Sequence, residues 1–239
     1  MVFARLAPLF AFLRARLSPE GYLGLHLTLG ALLMVTAGWV FGGIAVAVAA
    51  ADTITLIDLD IAHWLHTHAN PAVTEFMLLI THMHSVPGIT ALSVLTGLVF
   101  VWKKEWYWLL ALAVSVGGGM TINVLVKHAF HRARPSFDDP LLLLTTYSFP
   151  SGHTAGATLF YGALTTYLFS RIHSWHWRQP IIAIAVLMVL TVGVSRMYLG
   201  VHYLSDVLGA IAESTAWLAL SLTTVSALRR RKEALSLKE

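Results

Sequence analysis

The chain has 239 residues, of which 57% are hydrophobic and 12% are charged, and its mean hydropathy is +0.71. Because soluble domains carry about 25% charged residues, this composition excludes an ordinary soluble protein. It also excludes disordered, collagen-like and coiled-coil proteins, which need polar or charged repeats. We therefore predict an integral membrane protein with a single domain over residues 1–239.

The cysteine count and the net charge narrow the chemistry further. The chain has no cysteine, which excludes disulfides, thiolate catalysis and cysteine-ligated metals. The net charge is +4 and the pI is about 9.5. In so apolar a chain, this charge indicates contact with anionic lipid headgroups and a bias in membrane insertion, rather than nucleic acid binding. Membrane lipids are thus the expected partners, and the oligomeric state stays open.

We expect that residues 1–20 do not form a cleavable signal peptide, because Arg5, Arg14 and Arg16 interrupt the apolar run. Apolar residues at helical spacing opposite these arginines predict a short helix on the membrane surface. They are Phe3, Leu6, Phe10, Leu13 and Leu17.

Six stretches are apolar enough, and near enough to 20 residues, to span a bilayer. The second is the weakest, because His82, His84, Pro87 and Gly88 interrupt it, and we expect a kink or a late helix start there. The predicted fold is an all-α polytopic membrane bundle of about six transmembrane helices with short interfacial helices. The spans are Tyr22–Ala50, Thr74–Trp102, Trp106–Lys127, Gly152–Phe169, Ile181–Leu199 and Tyr203–Leu228.

The segment between the first two spans predicts an amphipathic helix on the outer surface, because it has no Lys or Arg. Its acidic residues Asp52, Asp58 and Asp60 lie off the apolar face. That face consists of Ile54, Ile57, Ile61, Trp64 and Leu65.

The distribution of basic residues predicts the orientation in the membrane. With six spans, twelve of the sixteen Lys and Arg residues lie on the side that holds both termini, which is therefore expected to be cytoplasmic. The other side, with the polar motifs, is expected to face the periplasm of a bacterial inner membrane, the bacterial origin being inferred from the compact chain and short loops. Its basic residues are Lys127, Arg132, Arg134 and Arg196.

Three polar clusters fall at the outer ends of the apolar helices. The first runs from Lys127 to Arg134 and Pro135, where the proline ends regular structure. Such a cluster suits phosphate binding, but it is also typical of a basic collar that contacts lipid headgroups. His131 and Arg132, inside it, are expected to contact headgroups or substrate at the rim.

The second cluster runs from Pro150 through Ser151 and Gly152 to His153 at the start of the fourth span. A helix start presents free backbone N–H groups and the positive end of the helix dipole, and both attract anions. With a hydroxyl and an imidazole beside it, this start could form an anion site with a proton donor. Simple helix capping is the alternative.

The third cluster contains Ser195, Arg196, His202 and Asp206. His202 and Asp206 are four residues apart, so on a helix they share a face and can hydrogen-bond. A carboxylate on one ring nitrogen makes the other a better nucleophile, and a guanidinium suits phosphate oxygens. A purely structural His–Asp pair is the alternative, but ionisable groups at membrane depth indicate function when three such clusters share one face.

Together, the motifs Lys-x6-Arg-Pro, Pro-Ser-Gly-His and Ser-Arg-x5-His-x3-Asp resemble those of the type 2 phosphatidic acid phosphatase and vanadium haloperoxidase superfamily. All eleven fixed positions match within residues 127–206. The resemblance implies a six-helix bundle and a metal-independent phosphomonoester or diphosphate hydrolase without a cofactor.

The same resemblance implies roles for individual residues. His202 would attack phosphorus to form a phosphohistidine, Asp206 would orient it, and His153 would protonate the leaving oxygen and help to activate water. The phosphoryl oxygens would be held by Lys127, Arg134, Ser151, Gly152 and Arg196. These assignments agree with phosphoryl transfer in general, which needs positioning and charge neutralisation.

The family resemblance also suggests the substrate, a lipid phosphate or diphosphate at the periplasmic face. The leading expectation is hydrolysis of undecaprenyl diphosphate to undecaprenyl phosphate, with phosphatidylglycerophosphate, phosphatidic acid and lipid A phosphate as alternatives. A lipid phosphotransferase, a non-enzymatic lipid-binding or transport protein, and a haloperoxidase are the other classes considered.

The remaining polar residues are assigned structural roles. Asn123 and Glu213 are expected to hydrogen-bond between helices, and Gly117, Gly118 and Gly119 to permit close helix approach. The histidine pairs lack the acidic or third ligand that a metal site needs. These pairs are His66/His68, His82/His84 and His173/His176.

Overall fold

The computed structural model describes residues 24–236, and every regular element in that range is helical. The all-α prediction is therefore confirmed. The surface helix predicted within residues 3–17 and the predicted start at Tyr22 lie outside the described residues. The helices are α1 Leu25–Ala49, α2 Thr53–Thr67, α3 Pro71–Met83, α4 Val86–Trp102, α5 Trp106–Ala113, α6 Gly119–Phe130, α7 Gly152–Arg171, α8 Trp175–Tyr198 and α9 Leu204–Ser236, with a π-helical turn, Val114–Gly118, between α5 and α6.

Four helical segments within residues 24–236 are long and apolar enough to cross a membrane, and the α3–α4 pair makes a fifth if it is taken as one bent span. The predicted fourth span corresponds to α7, which has 20 residues but is less apolar. A count of six spans therefore stays a prediction. The four segments are Leu27–Ala49, Trp106–Phe130, Trp175–Tyr198 and Leu204–Lys232.

The second predicted span is broken into α3 and α4, which are bent by 52° relative to each other. His84 ends α3, and Ser85 starts α4 by accepting a hydrogen bond from the amide of Gly88 at 3.3 Å. The predicted kink is confirmed. Its cause is a new helix start inside the apolar segment.

Helix α7 lies at the centre of the bundle, where it packs against α4, α5, α6, α8 and α9. Ala155, Ala157 and Leu159 on this helix are fully buried. A helix surrounded by protein needs small side chains for close packing more than it needs a lipid-facing apolar surface. This explains why α7 is less apolar than its neighbours, and it places the start of α7 among the ends of several other helices.

The predicted amphipathic helix between the first two spans is confirmed as α2, and its place on the outer surface stays a prediction. Its apolar residues Ile57 and Trp64 are exposed, whereas Asp58 and Ala62 are buried. The side of α2 that carries Asp58 packs against α8 and α9. The carboxylate of Asp58 therefore lies inside the protein. The hydrophobic pattern alone did not predict this burial.

Two glycines allow α6 and the π-helical turn to approach α9 and α7 closely, as expected. A Cβ atom on Gly118 would lie 2.4 Å from the Trp217 ring, and one on Gly119 would lie 2.6 Å from the side chain of Leu159. Gly117 has open space around it instead. One helical turn further along α6, the amide of Asn123 donates to a Glu213 carboxylate oxygen at 3.2 Å. The predicted interhelical bond is confirmed.

We expect Gly119→Ala to lower the apparent melting temperature in detergent, because the added methyl group overpacks the contact with Leu159 and Trp217, at a cost of about 1–3 kcal/mol. Gly117→Ala is the matched control, since its methyl group meets no other atom within 4 Å. It should leave the melting temperature unchanged or raise it slightly. Equal losses in both variants would contradict this account of the close approach.

Candidate active site

The structure brings the three predicted clusters together at one end of the bundle. Lys127 at the end of α6 reaches the backbone before α7, and the amide of Ser151 donates to the Asp206 carbonyl at 3.1 Å. Arg134, in the loop after α6, contacts His202. Residues up to 147 apart in sequence thus form one site. All eight predicted site residues lie in or beside it: Lys127, Arg134, Ser151, Gly152, His153, Arg196, His202 and Asp206.

His202 and Asp206 form a buried imidazole–carboxylate pair at the start of α9. Nδ1 of His202 lies 3.2 Å from Oδ2 of Asp206, and both side chains are almost completely buried. Burial, together with the charges of Arg134, Arg196 and Lys127, holds the pKa of His202 well below its ordinary value. The imidazole is therefore neutral at physiological pH.

The hydrogen bonds of His202 also assign its tautomer. Nη1 of Arg134 lies 3.1 Å from Nε2 of His202 and can only donate, so Nε2 is the acceptor. The proton is then on Nδ1, which donates to Asp206. Nε2 therefore carries the unprotonated lone pair that a nucleophilic nitrogen needs, and in the structure this lone pair accepts a hydrogen bond from Arg134.

Lys127 and Arg134 hold the loop that precedes α7. Nζ of Lys127 donates to the carbonyl oxygens of Tyr147 and Pro150 at 2.9 and 2.8 Å, and to that of Ser148 at 3.3 Å. Arg134 donates to carbonyl oxygens of the same loop and to that of Val201. Both cations were predicted as phosphate ligands. In the structure they fix the backbone around His202 and Ser151, and phosphate binding by these two cations stays a prediction.

Arg196 has guanidinium nitrogens that make no hydrogen bond to the described residues. Its side chain is buried, and Nη1 donates to the hydroxyl of Thr81. Nε and Nη2 are buried and have no hydrogen-bond partner among the described residues. A buried donor without a partner is costly, so these two nitrogens are prepared to receive the oxygens of an anion. Thr81, which positions the guanidinium, was not identified from the sequence.

The start of α7 completes the site. Ser151 is fully buried and accepts a hydrogen bond from the Thr154 hydroxyl at 3.0 Å, so its own proton can be donated elsewhere. His153 lies close enough to Arg196, Arg134 and His202 to interact electrostatically with each. A second imidazole, half-buried and close to His202, can serve as an acid or a base.

The rim position predicted for Arg132 is wrong. Its guanidinium is largely buried and forms ion pairs with Asp58 at 2.7 Å and Asp206 at 2.6 Å. Asp58 was predicted only as part of a polar helix face. The sequence could not predict these ion pairs, because Asp58, Arg132 and Asp206 lie in three different parts of the fold and no spacing rule links them.

Two adjoining cavities lead away from the site between α4 and the α5–α6 segment. The first, of about 140 Å³, is lined by His84, Gly152 and Met120, among others. The second, of about 450 Å³, shares Thr90, Val116 and Gly117 with it and continues along α4. Their linings are mainly apolar, so the space can take a hydrocarbon chain.

Within residues 24–236, no group of three or more His, Asp or Glu side chains is arranged to hold a metal ion. The histidine pairs have other contacts. His66 bonds to Asp139 at 2.8 Å, and His84 bonds to the Tyr161 hydroxyl at 2.9 Å.

Comparison with known proteins agrees with this arrangement. Residues 108–230 match the PAP2 superfamily. The chain is 37% identical over 145 residues to phosphatidylglycerophosphatase B of Bacillus subtilis, covering 59% of this chain and 70% of that protein.

Two solved structures are also similar. The first is a transmembrane PAP2-type phosphatidylglycerolphosphate phosphatase from Bacillus subtilis, with a TM-score of 0.73, 28% identity, and coverage of 80% of this chain and 94% of that one. The second, LpxE of Aquifex aeolicus, shares the fold with a TM-score of 0.56 and 24% identity, and the match covers 70% of this chain and 94% of that one. The predicted family is thereby confirmed, and the chain belongs to the PAP2 superfamily of membrane lipid phosphatases.

Proposed function

We propose that this protein hydrolyses the phosphate monoester of phosphatidylglycerophosphate through a phosphohistidine on His202. The observation that carries the chemistry is the pair of buried Arg196 nitrogens without partners among the described residues, beside the neutral His202 imidazole and its carboxylate partner Asp206. The similarity to phosphatidylglycerophosphatase B supports the choice of lipid. Undecaprenyl diphosphate, the leading expectation from the sequence, thus becomes the second candidate.

In the first step, Nε2 of His202 attacks phosphorus, and the bond to the lipid oxygen breaks. His153 donates a proton to that oxygen, so a neutral alcohol leaves. The imidazole of His202 becomes a phosphorylated cation that keeps its Nδ1 proton. Asp206 stabilises this cation by accepting a hydrogen bond from Nδ1. General acid catalysis of this kind contributes about 10²–10⁴-fold to the rate.

In the second step, His153 accepts a proton from water while the water oxygen attacks phosphorus. The P–N bond breaks and its electron pair returns to Nε2 of His202, releasing inorganic phosphate and the neutral imidazole. Arg196 binds phosphoryl oxygens with Nε and Nη2, which have no partner among the described residues. Lys127 and Arg134 add positive charge close by, so three cations neutralise the phosphate in this proposal without a metal or a cofactor.

The apolar cavities beside the start of α7 support a lipid substrate. The first is lined by Gly152, next to His153, and the second continues along α4 among apolar side chains. A lipid with its phosphate at Arg196 can place a hydrocarbon chain in this space. The proposed site thus recognises the phosphate by charge and the tail by apolar contact.

We also propose that the site faces the periplasm. The turns α4–α5 and α7–α8 meet at the opposite end of the bundle, where Arg171 pairs with Glu105. Arg229 near the end of α9 lies over the Tyr107 ring at the same end. Because this end collects the basic residues, the positive-inside rule supports a cytoplasmic position for it.

Purified protein should release phosphate from phosphatidylglycerophosphate in detergent faster than from undecaprenyl diphosphate, phosphatidic acid or lipid A phosphate. The rate should be unchanged in EDTA, since three cations supply the charge that a metal would otherwise supply. An acceptor lipid in the same assay detects phosphotransfer. Faster release from undecaprenyl diphosphate would overturn the proposed substrate, and a loss in EDTA that Mg²⁺ restores would overturn the mechanism.

The two histidines should differ in their effects. His202→Ala should abolish turnover and acid-labile labelling by a phosphate-labelled substrate, because the nucleophile is gone. His153→Ala should slow hydrolysis of the lipid by about 10²–10⁴-fold, but that of p-nitrophenyl phosphate much less, since this leaving group scarcely needs a proton. His176→Ala is the control, because His176 lies at the start of α8, far from Arg196 at the other end of that helix. Labelling that persists in His202→Ala would show that another residue is the nucleophile.

The sidedness is tested in bacteria with fusions to the C-terminus. A fluorescent protein fused there should be bright, and alkaline phosphatase should be inactive, because alkaline phosphatase folds to an active form only outside the cytoplasm. The reverse pattern would place the site on the cytoplasmic side.

A further inference from the structure

We propose that Asp58 and Arg132 are positioning residues for the nucleophile, acting through a buried Asp58–Arg132–Asp206 bridge that holds the carboxylate of Asp206 against His202. This inference rests on the proposed function, in which His202 attacks phosphorus. It concerns two residues that do not belong to the three sequence motifs.

Arg132 divides its donors between two carboxylates. Nη1 lies 2.6 Å from Oδ1 of Asp206, and Nη2 lies 2.7 Å from Oδ2 of Asp58. Both carboxylates are completely buried, and the Arg132 side chain is 13% exposed. Nη1 also donates to the Ser205 hydroxyl at 2.7 Å. With these bonds in place, Arg132 is committed to the carboxylates and is not a rim contact for substrate.

The two oxygens of Asp206 have separate partners. Oδ2 accepts from the backbone amide of Tyr203 at 2.9 Å and faces Nδ1 of His202 at 3.2 Å, while Oδ1 faces Arg132. The bond to Arg132 therefore fixes the rotation of the carboxylate that orients the imidazole. Without it, Asp206 would be a buried carboxylate with an unsatisfied oxygen, free to rotate or to take up a proton.

Asp58 anchors the other end of the bridge. It lies on the outer helix α2 and accepts from the backbone amide of Ser205 at 2.9 Å and from the Ser205 hydroxyl. Ser205 is next to Asp206 at the start of α9. One carboxylate thus joins the start of α9 to Arg132 and fixes the distance between the guanidinium and Asp206.

Charge balance keeps the bridge intact. Burial by itself would lower the pKa of Arg132, but the charges of Asp206 and Asp58 and their hydrogen bonds raise it above its ordinary value. The guanidinium also lies 4.4 Å from the centre of the Tyr203 ring. Arg132 is therefore permanently charged and held on two sides, as a positioning group must be.

The test compares two changes in the bridge with a matched change outside it. Arg132→Gln should lower kcat by about 10²-fold, and Asp58→Asn by about 10-fold, with KM changed less than about 2-fold, since neither residue touches phosphate in the proposal. Arg132→Lys should restore part of kcat, because it keeps the charge but cannot bridge both carboxylates. Asp139→Asn, which removes the exposed partner of His66, should leave kcat unchanged.

A double-mutant cycle separates positioning from general damage to the fold. If Arg132 acts through Asp206, Arg132→Gln should cost little further activity when Asp206→Asn is already present. The same 10²-fold loss in that background would overturn the inference, as would an Asp58→Asn variant that behaves like Asp139→Asn.

His202→Ala, assayed in parallel, keeps the two proposals distinguishable. If that variant still turns over, the proposed nucleophile is wrong and the inference fails with it. If His202→Ala is inactive but the bridge variants are fully active, only the inference fails.

Discussion

The site depends on one constraint, which is that charges placed in an apolar helix bundle must be matched by polar partners. Lys127 and Arg134 meet this requirement by donating to backbone carbonyls, and Asp206 meets it through Arg132. Arg196 does not meet it fully, because Nε and Nη2 are buried without a partner among the described residues. The anion that satisfies Arg196 is, in our proposal, the substrate's phosphate.

The same matching of charges with polar partners holds the backbone around His202 in place. The carbonyl oxygens of Tyr147 and Pro150 accept hydrogen bonds from Lys127. These bonds fix the loop that leads directly into the start of α7. The amide of Ser151 donates to the Asp206 carbonyl, so the starts of α7 and α9 lie side by side. Each cation thus has two functions. It organises the loop by hydrogen bonding, and it adds to the positive field in which a phosphate would be held.

Much of this arrangement could be predicted, because it is encoded locally. The apolar stretches predicted the membrane helices. The interruption by His82, His84, Pro87 and Gly88 predicted the kink, which is seen as the 52° bend between α3 and α4. The spacing of His202 and Asp206 predicted their contact, since residues four apart share a helix face. The position of Arg132 could not be predicted in the same way. A basic residue near a helix end suits a lipid headgroup as well as a buried ion pair.

By itself, the sequence determined the membrane class, the order of the helices and the family, and it predicted eight residues that the structure brings together, because hydrophobic runs and fixed spacings act within one helix or one motif. Only the tertiary structure decided which side chains pair across helices. Asp58 meets Arg132 across 74 positions, and Thr81 meets Arg196 across 115. Such pairs depend on how helices rotate and pack, and α2 exposes Ile57 and Trp64 while burying Asp58. No periodicity in the sequence predicts which face of α2 is buried, because the helices that pack against α2 decide it.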